Sequence, residues 1–66
     1  MNLVINGENR DMADGITLLA IMQELKIEEK VMAAAVNMNI VKKDIWHEYK
    51  PQENDVLELL HFVGGG

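Results

Sequence analysis

One helical segment lies among several extended segments in this 66-residue chain, and that order restricts the possible folds more than any other feature. Apolar side chains recur at the spacing of a single helical face, at Leu18, Ile21, Met22 and Leu25. Thr17 precedes them and suits the N-cap, because its hydroxyl can accept a hydrogen bond from the first helical turn. We therefore predict one amphipathic helix of about two to three turns, lying between strands.

A β-hairpin is predicted before the helix. Leu3-Val4-Ile5 is an apolar run rich in β-branched residues, and Asn6-Gly7 follows it directly. An Asn-Gly dipeptide suits the positive φ angles of a type I′ turn, which joins two antiparallel strands. The return strand is expected at Glu8 to Met12.

The chain after the helix is expected to form three more extended segments. Val31 to Val36 is rich in alanine, but its β-branched ends and the turn residues that follow favour a strand over a helix. The predicted segments are a strand at Val31 to Val36, a turn at Asn37 to Asn39, an extended run at Ile40-Val41, a mixed segment with one short helical turn at Lys42 to Tyr49, a loop at Pro51 to Asp55 and a buried last strand at Val56 to Val63.

This order of elements places the chain in the α+β class. A mixed sheet packed on one side by a single helix is the plan of the β-grasp, or ubiquitin-like, fold, although other small α+β folds share the pattern. A chain of this length forms one domain with a small core. We expect a β-grasp domain at residues 1–63 and a flexible C-terminal glycine tail at residues 64–66.

The tail, Gly64-Gly65-Gly66, carries no side chain that could bind a partner. Three extended residues span about 10 Å, so the tail can enter a narrow passage in another protein while a folded surface supplies the affinity. Leu60 and Phe62 share one face of the last strand, and Val4 of the first strand can extend an apolar patch there. We expect Val4, Leu60 and Phe62 to dock a partner. In the alternative, Phe62 folds over the end of the sheet as part of the core.

Composition argues against several classes of function. A net charge of −5 and a sequence pI near 4.7 oppose nucleic-acid binding and favour a basic protein partner. The chain has no cysteine, which excludes disulfides and thiol chemistry. No apolar run approaches the roughly 20 residues of a membrane span, and the first residues do not resemble a signal peptide. We expect a cytoplasmic protein that does not bind membranes.

The sequence does not predict an active site or a metal site. His47 and His61 are the two histidines, and the chain has no serine, so a Ser-His-Asp arrangement is excluded. Neither histidine has acidic residues at a recognisable metal-ligand spacing. The neighbouring acidic residues Glu28-Glu29 and Glu53 to Asp55 are expected to be solvated surface groups. Trp46 is expected to cap the core. We predict no catalytic residues and no metal ligands.

Four parts of the sequence carry a resemblance to a known family: the ending His61 to Gly66, the middle Val36 to Val41, the downstream Trp46, and Leu18-Leu19 after Thr17. Together they resemble the ThiS family of thiamine-biosynthesis sulfur carriers. A terminal Gly-Gly also occurs in ubiquitin-like modifiers and in the small subunit of molybdopterin synthase, but the Phe-Val-Gly-Gly-Gly ending matches ThiS more sharply. The chain departs from the family at Lys42, where proline is frequent, and at Glu53-Asn54-Asp55, which replaces a frequent Gly-Asp.

The resemblance implies a protein cosubstrate, not an enzyme. A ThiF-type adenylyltransferase would use ATP and Mg²⁺ to adenylate Gly66, and sulfur from cysteine, supplied through a cysteine desulfurase or sulfurtransferase, would convert Gly66 to a thiocarboxylate. The thiazole synthase ThiG would then accept the sulfur. The chain itself would bind no cofactor and would be a monomer when free. Alternatives are a molybdopterin-synthase small subunit, a ubiquitin-like modifier joined to lysine and a plain β-grasp binding module.

Overall fold

A computed structural model describes residues 1–62 of the chain. Five strands, one α-helix and two 3-10 turns follow one another in this part. They are β1 (Asn2–Ile5), β2 (Glu8–Asp11), α1 (Leu18–Glu24), a 3-10 turn at Glu28–Lys30, β3 (Val31–Val36), β4 (Asn39–Ile40), a 3-10 turn at Lys43–Ile45 and β5 (Val56–His61). The expected α+β order is confirmed, and the 3-10 turn at Glu28–Lys30 is an element that the sequence did not predict.

The strands form one mixed sheet in the order β2-β1-β5-β3-β4. β1 runs parallel to β5, with Val4 opposite Val56, while β3 runs antiparallel to β5. Antiparallel hairpins place β2 and β4 at the two edges. The last strand therefore occupies the centre of the sheet, where a neighbour on each side holds it.

The helix begins as its sequence predicts. The Thr17 hydroxyl oxygen accepts a hydrogen bond from the Ala20 N–H at 3.1 Å, which satisfies a donor that the first helical turn leaves free. The helix is short, with seven residues, because Leu25 is its C-cap and Lys26 follows with a φ of 62°. A positive φ at a lysine cannot continue a right-handed helix.

The core lies between α1 and the face of the sheet that the helix covers. Its members are apolar side chains from every part of residues 1–62, namely Leu3, Ile5, Met12, Leu18, Ile21, Met22, Val31, Ala34, Val36, Val41, Trp46, Leu57 and Leu59. The indole of Trp46 is buried and donates a hydrogen bond to the Val41 carbonyl at 2.8 Å, so its predicted place in the core is confirmed. Pro51, in the predicted loop before the last strand, is also fully buried.

Two predictions about the last strand need correction or remain open. The strand is not buried throughout, because only alternate residues, Leu57 and Leu59, face the core. β5 ends at His61, and the expected continuation to Val63 lies outside the described residues. The glycine tail at residues 64–66 and the domain boundary after residue 63 also lie there, so both stay predictions. No helix within residues 1–62 is long and apolar enough to span a membrane.

Candidate protein-docking face

The face of the sheet turned away from α1 carries the side chains that the sequence assigns to docking. β5 alternates strictly, so Leu57 and Leu59 are buried beneath the helix while Leu60 points to the other side. Leu60 is 61% exposed and Phe62, which follows the end of β5, is 60% exposed. Phe62 therefore does not fold over the sheet end as core. Both side chains are available to a partner.

Val4 lies at the far end of this face. It is half-buried and stands opposite Val56, whose side chain is 42% exposed. Leu60 lies four residues further along β5, about 13 Å away at ~3.3 Å per residue. The three predicted residues therefore do not form one compact cluster but mark a strip along β5. Val56 connects Val4 to this strip. Its even spacing from Leu60 along the strand puts both side chains on the same face, and this spacing was the sequence signal that could have identified Val56.

Small side chains on β3 leave a shallow apolar depression beside the strip. Ala33 pairs with Leu60 and Ala35 pairs with Glu58 across the sheet. On the other side of Ala35 stands Ile40 of β4, 72% exposed. Because an alanine reaches little above the backbone, Leu60 and Ile40 rise on either side of a low floor. The alanine content that made this segment ambiguous in the sequence thus shapes a surface.

Two asparagine side chains hold β5 in place. Near its end, Asn6 exchanges two hydrogen bonds with the Leu59 backbone. At its start, the Asn37 side chain accepts from the Val56 N–H at 2.9 Å and donates to the Asp55 carboxylate at 2.9 Å. The central strand, and with it the open face of the sheet, is fixed to the turns on both sides.

The acidic residues of the loop before β5 have structural roles. The Glu53 carboxylate accepts from the Asn2 N–H at 3.1 and 3.2 Å, which fixes the start of β1. Asp55 accepts from the Gln52 N–H at 2.8 Å as well as from Asn37. Both carboxylates are thus used to shape turns, and Glu28 and Glu29 are exposed as expected.

The two histidines have different surroundings. His47 is exposed, and its Nε2 is 3.2 Å from the Glu48 carboxylate, whereas His61 is partly buried and its Nδ1 has no hydrogen-bond partner among residues 1–62. Within the described part of the chain, no three His, Asp or Glu side chains are placed to hold a metal ion. The absence of metal ligands and of catalytic residues over the whole chain remains a prediction.

The fold and the exposed strip define a small β-grasp protein with apolar side chains on the open face of its sheet, along β5 and at Phe62. The ThiS family model matches residues 3–66, which is nearly the whole sequence. The chain belongs to the ThiS family, and the resemblance drawn from its sequence is confirmed.

Sulfur carrier proteins and thiazole synthases are among the proteins similar to this chain. The sulfur carrier protein ThiS of Bacillus subtilis is 32% identical over 97% of this chain and 98% of its own length. The crystal structure of a thiamine biosynthesis protein (ThiS) from Geobacter metallireducens superposes with a TM-score of 0.81 at 26% identity and full coverage of both chains. The thiazole synthase of Paramagnetospirillum magneticum is 36% identical over this whole chain. The chain spans only 20% of the length of that enzyme.

Proposed function

We propose that this chain is a sulfur carrier protein for thiamine biosynthesis and that Gly66 is the residue that carries the sulfur. The observation that carries the proposal is the extent of the family match, which reaches from Leu3 to Gly66 and so includes the C-terminal glycines. Relatives of nearly equal length named sulfur carrier protein ThiS support it. A terminal carboxylate is ionised at neutral pH and reacts poorly with nucleophiles, so it must be activated before it can take up sulfur.

The proposed cycle uses three partner proteins. A ThiF-type adenylyltransferase with ATP and Mg²⁺ forms an acyl-adenylate at Gly66 and releases pyrophosphate. A cysteine desulfurase or sulfurtransferase takes sulfur from cysteine as a persulfide, whose outer sulfur displaces AMP from Gly66 to give an acyl disulfide. A thiol then reduces the S–S bond, forming a disulfide with the enzyme's cysteine and leaving the thiocarboxylate on Gly66. The thiazole synthase ThiG accepts this sulfur, and the similarity of the chain to parts of two thiazole synthases supports that partner. The chain binds no cofactor, contributes no catalytic group and acts in the cytoplasm as a monomeric cosubstrate.

The open sheet face is the proposed docking surface, with Val4, Leu60 and Phe62 as its predicted residues and Val56 between them. Ordering three glycines in a partner's channel costs about 3 to 6 kcal/mol of backbone entropy. Burying about 200 Å² of apolar surface returns roughly 5 kcal/mol at ~25 cal/mol per Å². The exposure of Leu60 and Phe62 supports this division, in which the sheet supplies affinity and Gly64 to Gly66 supply reach.

Mass spectrometry tests the carrier role. The chain is incubated with the adenylyltransferase, a cysteine desulfurase, cysteine and ATP, and its fragments are analysed. We expect an oxygen-to-sulfur replacement localised to Gly66 that is absent when ATP is withheld and in a chain that ends at Gly65. Fragmentation is necessary because oxidation of any of the five methionines adds nearly the same mass.

An unmodified Gly66 beside a demonstrably active adenylyltransferase would refute the proposal. Transfer from a loaded Gly66 to a pterin precursor in place of the thiazole intermediate would instead identify a molybdopterin-synthase small subunit. A chain without Gly66 that retained its full cellular function would identify a plain binding module.

A further inference from the structure

Glu58 places an exposed carboxylate in the middle of the open sheet face. On β5 it lies between Val56 and Leu60, which share its side of the strand, and across the sheet it stands opposite Ala35. Its apolar neighbours are the residues that the proposed docking would cover. Glu58 forms no ion pair with any cationic group of residues 1–62.

Among the described residues, Glu58 is the one charged group that lines the depression beside β5. Its lining within residues 1–62 consists of Asn6, Ala33, Ala34, Ala35, Ile40, Glu58, Leu59 and Leu60. The Asn6 carboxamide is already engaged by the Leu59 backbone, through hydrogen bonds of 2.8 and 3.2 Å. The surface is therefore an alanine floor with apolar sides and one unpaired carboxylate.

A partner that covers Leu60 also removes Glu58 from water. An ionised carboxylate that loses its hydration without a cation or hydrogen-bond donors is strongly unfavourable. Docking on this face is therefore favoured when the partner brings a positive charge with hydrogen-bond donors to Glu58. The net charge of −5 makes the rest of the chain compatible with a basic partner surface.

We propose that the depression binds an arginine side chain of thiazole synthase, an inference that rests on the function proposed above. The methylene groups of the arginine lie on Ala33 and Ala35, and its guanidinium donates two hydrogen bonds to the Glu58 carboxylate. Arginine suits this position better than lysine, because its planar group matches a carboxylate and is more weakly hydrated than an ammonium. An apolar stem with a charged end also fits a surface that combines an apolar floor with one carboxylate.

Matched glutamine variants test the inference. Glu58→Gln and Glu29→Gln remove the same charge from exposed positions, but Glu29 lies in the 3-10 turn before β3 and does not line the depression. Affinity for thiazole synthase is measured by calorimetry at low and high salt. We expect Glu58→Gln to weaken binding by roughly tenfold or more and to reduce the salt dependence of the affinity, while Glu29→Gln stays within about twofold of the original chain. Equal affinities of the two variants would overturn the inference.

Modification of arginines on the partner identifies the cation. Thiazole synthase treated with phenylglyoxal should lose affinity for the original chain much more than for Glu58→Gln. Equal losses for the two chains would show that no arginine pairs with Glu58. If sulfur loads onto Gly66 and is transferred while the two glutamine variants bind alike, the proposed function stands and this inference fails. If the original chain does not bind thiazole synthase at all, both fail.

Discussion

The carboxamide of Asn6 completes the backbone pairing of Leu59. Its Oδ1 accepts a hydrogen bond from the Leu59 N–H at 2.8 Å, and its Nδ2 donates to the Leu59 carbonyl at 3.2 Å. Because β1 ends at Ile5, this side chain replaces the next strand residue beside β5. Asn6 also adopts a φ of 50°, as the first hairpin turn requires. One residue thus turns the chain and holds the strand that carries Leu60 on the open face of the sheet.

Two substitutions separate these roles of Asn6. Asn6→Gly keeps the positive φ accessible but removes both hydrogen bonds to Leu59, and we expect it to lower the free energy of unfolding by about 1–3 kcal/mol. Asn6→Ala adds the steric cost of a left-handed residue, about 1 kcal/mol more. Urea denaturation measures both changes. Losses below about 0.5 kcal/mol for both variants would show that the side chain contributes little.

The two hairpin turns differ at their second central residue, and opposite substitutions should have opposite effects. Asn6-Gly7 and Asn37-Met38 have the same φ of 50° at the asparagine, followed by 83° at Gly7 and 71° at Met38. We expect Gly7→Ala to destabilise the chain by about 1 kcal/mol, because alanine is strained at this positive φ. Steric contact adds nothing, since a Cβ at Gly7 would have no atom within 4 Å.

Met38→Gly should instead stabilise the chain by roughly 0.5–1 kcal/mol. Relief of the left-handed strain, about 1–2 kcal/mol, exceeds the entropic cost of a glycine. The side chain is 87% exposed, so its removal costs little packing. Thermal unfolding of both variants measures the two effects. A destabilising Met38→Gly would contradict this account of the turn.

Truncation of the exposed strip should weaken docking without unfolding the chain. Leu60→Ala is expected to reduce affinity for thiazole synthase by about tenfold, equivalent to ~1.4 kcal/mol, because Leu60 is 61% exposed and central to the face. Ile45→Ala is the control, since Ile45 is an exposed apolar residue in a 3-10 turn outside the sheet. Calorimetry gives both affinities. Equal affinities of the two variants would place the docking surface elsewhere.

The N-terminal ammonium gives the stability a pH dependence. Hydrogen bonding to Asp14, and secondarily to Asp11, raises the pKa of the Met1 amino group above its ordinary value of 8.0, against the opposing effect of burial. The ammonium also donates to the Met12 carbonyl at 2.6 Å. Because the folded-state pKa is the higher one, the stabilisation is complete below about pH 8. It is lost as the pH rises through the folded-state pKa.

Urea denaturation at pH values from 7 to 10, about one pH unit apart, measures this effect through the urea concentration at half unfolding. In the original chain, the urea concentration at the midpoint should decrease as the pH rises above 8. In the double variant Asp11→Asn, Asp14→Asn the fall should be smaller, since the neutral amides no longer favour the charged amino group. Parallel curves for the two chains would exclude the amino group as the cause.

Local sequence rules determined the elements of this fold. Asn6-Gly7 predicted the first hairpin, and the apolar spacing from Leu18 to Leu25 predicted the helix, because both depend on residues close together in the chain. The ending of the sequence also indicated the family. The 3-10 turn at Glu28–Lys30 escaped prediction because it carries no comparable local signal.

Tertiary structure alone decided how distant segments combine into a surface. The sheet order places β5 between β1 and β3, so Val56 meets Val4 and the alanines of β3 lie beside Leu60. Neither the depression nor the isolated position of Glu58 within it follows from residues adjacent in sequence. The side-chain alternation of a strand is local and predictable. Which strands lie beside it is set by pairings between residues as many as 52 positions apart, and these depend on the packing of the whole core.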